Sequence, residues 1–288
     1  MRTVRLLASG FGLVESPRWH DGKLWFSDWT AGEIRTLDEN GGSEVVVRHP
    51  SLPLCFDFRP DGSMVVVSSA TRTLLRREAD GSLTPYADLS PLSQIGANDV
   101  VADGRGNVYV NSNNAEFGAT APSGGAATGR IYLVPASGTP RLVAEDLDFP
   151  NGMAISGDNR TLVVAESYRH RLTAFGIADD GSLTDRRVFA EVGEDPPDGI
   201  TIDASGAIWY ADVPHQQCVR VADGGRVLDR YQADRGIFAC ILGGPDGNTL
   251  FLVGAQWPGA QGLTQHSEWA GAVWSAPAPE PRSGWPGN

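Results

Sequence analysis

The chain has 288 residues, of which 41% are hydrophobic and 20% are charged, a balance typical of a folded, water-soluble protein. Its formal net charge of −12 argues against a surface for nucleic acid or anionic membranes, because both favour basic patches. The three cysteines are odd in number and widely spaced, which argues against a disulfide framework or a thiolate metal site. No signal peptide or long apolar segment is evident, so we expect a cytoplasmic protein without a membrane or nucleic-acid partner.

A short apolar strand, a tight turn containing Asp, Gly, Asn or Ser, and a second apolar strand recur six times along the chain. The turns fall roughly 40 to 50 residues apart, which is the spacing of propeller blades. Because a propeller closes only with all its blades, the repeat predicts one all-β domain over residues 1–288. The predicted fold is a six-bladed β-propeller with four-stranded antiparallel blades around a central channel. The repeated segments are SPRWHDGKLWFSD from Ser16, DFRPDGSMVVVSS from Asp57, VVADGRGNVYVNS from Val100, AISGDNRTLVVAES from Ala154, TIDASGAIWYAD from Thr201 and ILGGPDGNTLFLVGA from Ile241.

The blades follow in chain order, starting with blade one at residues 12–50. Blade three carries a Gly- and Ala-rich loop at residues 119–129, and a long loop in a compact fold is usually functional or mobile. A strand candidate at Gly271–Ala278 is predicted to pair with one near Thr3–Leu7, which closes the ring without a free sheet edge. The tail at residues 279–288 is rich in Pro, Gly and Ser and is expected to fray. The remaining blades are predicted over Leu52–Leu89 (blade two), from near Gln94 (three), from Phe149 (four), from Pro197 (five) and from near Gly236 (six).

Oxygen-bearing side chains stand at the start of the innermost strand in several blades. They are Glu15 in blade one, Asn98 in blade three, Asn151 in blade four and Asp198 in blade five. The starts of the inner strands line one mouth of a propeller channel, so these side chains are expected to face a common point. Carboxylate and amide oxygens are ligands that suit a hard divalent cation such as Ca²⁺, Mg²⁺ or Mn²⁺. Without a cation, two carboxylates aimed at one small volume would repel, and one would hold its proton.

The Asn-Gly pair at 151 and the Asp-Gly pair at 198 have a simpler interpretation, since these are the commonest hairpin-turn dipeptides. Their position favours a functional role. The turn pairs at Asp21, Asp61 and Asp158 lie between strands, whereas Asn151 and Asp198 precede a strand, where no hairpin turn is required.

Other side chains are placed near the same mouth by their position after a strand. Trp29 and Trp257 follow blade strands and could line a pocket. His215 follows the blade-five strand WYAD and could reach the mouth, although an isolated histidine is more often a surface residue or a satisfied hydrogen-bonding group.

The chain resembles the regucalcin/gluconolactonase (senescence marker protein-like) family of six-bladed propellers over nearly its whole length. The resemblance implies one divalent metal on the propeller axis, held by Glu15, Asn151 and Asp198, with Asn98 near the metal or touching substrate. Ca²⁺ is the first candidate, and Mg²⁺, Mn²⁺ or Zn²⁺ could also enter. Many members hydrolyse lactones, and some relatives cleave organophosphates. The matching segments are ESPRW at 15–19, ND at 98–99, PNGMAIS at 150–156, AES at 165–167 with the following SLTDRRVFA, and PDGITIDASGAIWYAD at 197–212.

One position departs from the sugar-lactone-hydrolysing members of that family. An arginine that binds substrate hydroxyls commonly stands two residues before the asparagine of the Asn-Asp motif, where this chain has Gly96. Loss of this planar five-donor group argues against a sugar-acid lactone and is expected to open room for a bulkier or less polar substrate. The resemblance also places the family's substrate-binding glutamate at Glu116.

The leading hypothesis is a monomeric, metal-dependent hydrolase that opens the ring of a small-molecule lactone. The cation would polarise the carbonyl and activate water, Asp198 would be the general base, Asn98 would orient the carbonyl or the ring, and Trp29 and Glu116 would contact substrate. One alternative is phosphotriester or aryl-ester hydrolysis, or non-hydrolytic ring chemistry, at the same metal. Another is a calcium- or ligand-binding propeller without catalysis, because a fold alone does not establish activity.

Overall fold

A computed structural model describes residues 2–38, 41–93, 96–113, 129–259 and 268–284. In these ranges the chain forms 25 β-strands and one 3-10 helix at Ser167–Arg169. The strands assemble into six sheets arranged in a ring, which confirms the predicted six-bladed β-propeller. Within the described ranges, no helix has the length and apolar character needed to cross a bilayer.

Each blade is an antiparallel sheet whose first strand lies nearest the axis. Blade one contains β3 (Val14–His20), β4 (Lys23–Asp28), β5 (Glu33–Leu37) and β6 (Ser43–Arg48), and blade two contains β7 (Phe56–Phe58), β8 (Met64–Ser68), β9 (Thr73–Arg77) and β10 (Leu83–Asp88). Blade three contains β11 (Val100–Ala102), β12 (Val108–Ser112), β13 (Gly129–Val134) and β14 (Arg141–Leu147), and blade four contains β15 (Pro150–Ile155), β16 (Thr161–Glu166), β17 (Arg171–Ile177) and β18 (Leu183–Glu191). Blade five contains β19 (Pro197–Ile202), β20 (Ile208–Asp212), β21 (Gln217–Val221) and β22 (Val227–Gln232). Blade six contains β23 (Gly236–Gly243), β24 (Thr249–Ala255), β25 (Gly271–Pro277) and β2 (Arg5–Phe11), and β1 (Arg2–Thr3) extends blade five.

Strands near the axis are buried on both faces, because each blade packs against its neighbours on both sides. Every residue of β8 and of β23 is buried, whereas the outer strand β18 is largely exposed. The apolar core is therefore divided into layers between adjacent blades. Tyr109 and Ile155 pack in the layer between blades three and four, and Trp209 and Trp274 pack between blades five and six.

The two chain ends close the ring. Strand β2 pairs with β25 so that Leu6 lies opposite Trp274, as the sequence predicts. Strand β1 adds a parallel pairing with β22 that the sequence analysis does not anticipate, and Arg2 there forms an ion pair with Asp229 at 2.8 Å.

The C-terminal tail, which was expected to fray, is attached to blades five and six where the structure describes it. The carbonyl of Pro281 accepts a hydrogen bond from the backbone N–H of Ala204 at 2.8 Å, and Arg282 N–H donates to the carbonyl of Gly247 at 3.0 Å.

A buried aspartate holds the turn between the two innermost strands of blade five. Asp203 accepts hydrogen bonds from the backbone N–H of Ala207 at 3.2 Å, from Trp209 Nε1 at 3.0 Å and from Arg220 Nε at 2.7 Å. This one side chain therefore fixes the turn and neutralises a buried guanidinium.

Replacing Asp203 by alanine should destabilise the fold by about 3–5 kcal/mol, because it leaves Arg220 buried with its closest carboxylate removed. Urea denaturation measures the loss. The matched control is Asp246→Ala in the corresponding turn of blade six, where the residue is exposed and the effect should be much smaller. Equal losses in the two variants would contradict the structural role of Asp203.

Candidate functional site

The three predicted metal ligands occupy equivalent places in three inner strands. Glu15, Asn151 and Asp198 are each the second residue of β3, β15 and β19, at the same mouth of the channel. The pairing of all three strands with their neighbours is interrupted by a register shift at this point. A β-bulge of this kind re-aims the side chain it contains. The prediction that these residues precede the strand is therefore corrected, since they lie within its first residues, at the bulge.

The glycines after Asn151 and Asp198 permit close contact between inner strands. A Cβ atom on Gly152 would lie 2.6 Å from the carbonyl oxygen of Asp198, and one on Gly199 would lie 2.3 Å from the Cβ of Ala239. Neither distance can accommodate a side chain. The Asn-Gly and Asp-Gly pairs are therefore not hairpin turns but points where blades four, five and six meet.

A chain of hydrogen bonds joins the amide side chains across three blades. Asn98 Nδ2 donates to Asn151 Oδ1 at 3.1 Å, and Asn151 Nδ2 lies 3.3 Å from Ser167 Oγ. Ser167 Oγ donates in turn to the carbonyl of Pro197, the residue before Asp198, at 2.7 Å. An amide oxygen has two lone pairs, so Asn151 Oδ1 keeps one for another partner.

Two of these side chains, Asn98 and Asn151, line a small cavity at the axis. Its volume is about 20 Å³, which is enough for one water-sized species. Gly199 contributes the wall next to Asp198. The polar and aromatic lining includes Glu15, Asn98, Asp99, Asn151 and Trp29.

Buried negative charge dominates this cavity. Glu15 is only 8% exposed, and its burial together with the charge of Asp99 raises its pKa from 4.5 to about 8. Burial and the charges of Glu15 and Asp99 also raise the pKa of Asp198 well above its usual range. Burial raises the pKa of Asp99 as well. Three carboxyl groups thus share a desolvated volume, and a bound cation would relieve their repulsion.

A buried guanidinium forms part of the cavity wall, and sequence reasoning assigned it no role. Arg18 is 8% exposed and donates from Nε to Asp57 at 3.1 Å and from a terminal nitrogen to the carbonyl of Val100 at 2.8 Å. Its distance to the Asp99 carboxylate is 3.7 Å. Arg18 thereby ties blade one to blades two and three. The sequence hint of this contact was that the first repeat contains Arg18 and the second begins with Asp57.

The remaining predicted positions have different outcomes. Trp29 lies against the cavity, whereas Glu116 and most of the loop at 119–129 fall outside the described residues. Gly96 does not open space, contrary to the expectation from the sequence. A Cβ atom there would lie 2.5 Å from the Cβ of Ser69, so the backbone of blade two already occupies the place of a side chain.

The donor set fits one divalent cation. Two carboxylates and an amide oxygen from blades one, four and five are hard ligands. Glu15 and Asn151 line a cavity of the right size, and Asp198 is next to its Gly199 wall. Asn98 and Asp99 supply further oxygen atoms from blade three.

The sequence also matches a known family. Residues 13–256 match the sequence model of a family described as "SMP-30/Gluconolactonase/LRE-like region". The chain belongs to this family. The resemblance inferred from the motifs is therefore confirmed.

Relatives of this SMP-30/gluconolactonase family member include two proteins whose names state an activity. A pentonolactonase of Haloferax volcanii is 26% identical over 261 residues, covering 88% of this chain and 86% of the relative. A 6-deoxy-6-sulfogluconolactonase of Pseudomonas putida is 26% identical over 250 residues, covering 85% and 84%. Among solved structures, the calcium-binding protein regucalcin from Agrobacterium tumefaciens has a TM-score of 0.78 at 22% identity, covering 98% of this chain and 95% of that one. This last likeness shows the shared fold.

The raised pKa of Glu15 predicts how the protein responds to pH when metal is removed. The folded protein binds this proton more tightly than the unfolded chain, so the stabilising effect is complete below about pH 4.5 and is lost as the pH rises through about 8. With chelator present, the free energy of unfolding of the wild type should therefore fall relative to Glu15→Gln across this range. A difference that stays constant with pH, measured by urea denaturation, would contradict the buried acidic cluster.

Proposed function

We propose that this chain is a lactone hydrolase that uses one divalent cation held by Glu15, Asn151 and Asp198. The observation that carries the proposal is that these three residues occupy the same place in three separate inner strands. Glu15 and Asn151 line one water-sized cavity there, and Gly199, the residue after Asp198, forms part of its wall. The names of the two relatives support the reaction class. Ca²⁺ is the first candidate because the donors are all oxygen atoms.

Different residues of the chain have different roles in opening a lactone. When bound, the cation would polarise the ester carbonyl and lower the pKa of a nearby water molecule. Asp198 accepts the proton of the attacking water as the general base, in the ionised form that a bound cation would favour. Asn98 orients the carbonyl oxygen or the ring from blade three, and Trp29 supplies an apolar wall.

All of these groups come from a single chain, so a monomer is sufficient to build the site. A small molecule is the substrate, and the relatives' names point to lactones of sugar acids. We extend the same class to this chain. Location in the cytoplasm stays a prediction from the sequence.

A second candidate, hydrolysis of aryl esters or phosphotriesters at the same cation, is favoured by aromatic side chains near the mouth. The tilted rings of Phe149 and Tyr168 lie 4.4 Å apart, and those of Phe238 and Trp257 lie 5.9 Å apart, measured between ring centroids. Such rings could hold the apolar part of a larger ester. A panel containing lactones, aryl esters and a phosphotriester separates the two reactions.

Removing the cation should abolish lactone hydrolysis. We expect the chelator-treated protein to lose activity in a pH-indicator assay over five- and six-membered lactones, and one divalent ion to restore it. Unchanged activity after complete chelation would contradict a metal-dependent reaction. Tight cation binding without turnover of any ester would instead favour a non-catalytic binding propeller.

Replacing Asp198 by asparagine should lower kcat at least about 10³-fold, because the general base is lost and the cation is held less tightly. The variant should keep its circular dichroism spectrum, since asparagine has the same shape. Asp179→Asn, at an exposed turn of blade four, is the matched control and should retain activity. Full activity in Asp198→Asn would disprove the assignment.

A further inference from the structure

The turn between β20 and β21 of blade five stands beside the candidate metal site. Asp212, the last residue of β20, lies opposite Pro197 in the adjacent strand, and Pro197 directly precedes Asp198. The turn is therefore about one strand spacing, roughly 5 Å, outward from Asp198. The corresponding turn of blade one carries Trp29, which lines the cavity. Both turns form part of the same mouth.

His215 projects from this turn and is held by a buried carboxylate. Its Nδ1 lies 2.7 Å from Asp212 Oδ2, and its backbone N–H donates to Asp212 Oδ1 at 3.3 Å. Gln217 Nε2 donates to the same Oδ2 at 2.8 Å. Burial raises the pKa of Asp212, but these hydrogen bonds from Gln217 and His215 oppose the effect and favour an ionised carboxylate that only accepts.

This arrangement fixes the hydrogen-bonding character of the imidazole. Because ionised Asp212 can only accept, Nδ1 of His215 must carry a hydrogen. In the neutral ring the other nitrogen, Nε2, then presents a lone pair. The side chain is 52% exposed, and Nε2 has no hydrogen-bond partner among the residues that the structure describes. The turn therefore presents an acceptor of fixed orientation to solvent.

The groups around His215 hold the orientation of its imidazole and do not form a second cation site. Asp195, 3.5 Å from His215 Nδ1, accepts a hydrogen bond from Tyr210 Oη at 2.7 Å and lies 3.8 Å from Arg230. Asp195, Asp212 and His215 are close enough together to hold a metal ion. However, the carboxylate oxygens of Asp212 already accept from protein donors, and Arg230 places a positive charge next to Asp195.

We propose that His215 is a substrate-binding residue that accepts, through Nε2, a hydrogen bond from a hydroxyl group of the lactone. This inference rests on the proposed lactone hydrolysis and adds a residue that would recognise a free hydroxyl group of the substrate. The ring carbonyl would lie at the axial site, and the hydroxyl would extend outward toward blade five. Asp212 acts as the positioning residue that keeps the imidazole in this orientation.

The test compares a hydroxylated five-membered lactone, such as a pentonolactone, with unsubstituted γ-butyrolactone. His215→Ala should raise KM for the hydroxylated lactone about 10-fold, the loss expected when one hydrogen bond is removed. Its kcat should stay within about twofold of the wild type. Its kcat/KM for γ-butyrolactone should stay within about twofold of the wild type. His215→Gln, which retains an acceptor atom at a similar reach, should restore much of the lost affinity. Gln216→Ala, at the neighbouring exposed residue, is the matched control and should behave as the wild type.

The outcomes distinguish the two proposals. If the wild type hydrolyses neither lactone with any divalent ion, the proposed function is wrong and this inference falls with it. If the wild type is active but His215→Ala affects both lactones equally, or neither, the inference alone is overturned. A second equivalent of bound divalent ion that disappears in His215→Ala, measured by titration calorimetry, would show a metal site and would also overturn it. Thermal unfolding of each variant should match the wild type, since the imidazole is half exposed.

Discussion

The structure depends on holding several acidic side chains close together at the channel mouth, where water is largely excluded. Burial raises the pKa values of Glu15, Asp99 and Asp198 there, and neighbouring carboxylates raise those of Glu15 and Asp198 further. Burying these groups together opposes folding. The ring must therefore hold blades one, three and five in place, and closure of the ring by β1 and β2 provides that restraint. A cation that binds only the folded arrangement would raise the free energy of unfolding and so offset part of this cost.

Arg18 offsets part of the negative charge of the cluster and leaves enough of it to favour a cation. Its guanidinium is shared between Asp57 and Asp99, so it balances one of four neighbouring carboxyl groups. Hydrogen bonds to Asp57 and to the carbonyl of Val100 fix its direction. The excess of negative charge stays on the Glu15 and Asp198 side, where the amide oxygen of Asn151 completes a ligand set.

The fold was predictable because the repeated strand–turn–strand unit is a local pattern, and its spacing is sufficient to count six blades. The same repeat predicted that Glu15, Asn151 and Asp198 share one place near the start of their inner strands, although not that this place lies within the strand. The bulges that aim these side chains could not be predicted, because a register shift depends on pairing with the next strand. The pair Arg18 and Asp57 was missed for a similar reason: the two residues belong to different blades, and only the ring brings them together. The effect of Gly96 was misjudged because the sequence does not show that Ser69 fills the adjacent space.

Equivalent positions in different blades also show how a structural feature can acquire a second use. At the end of the second strand, Asp28 of blade one accepts a hydrogen bond from the backbone of Ala31 and so holds its turn, while Glu166 of blade four binds Arg171. Asp212 of blade five holds its turn in the same manner and in addition orients His215. The turn is attached to the second strand and not to the innermost one. Its side chains can therefore change which substrate is recognised while the inner strands that carry the metal ligands stay as they are.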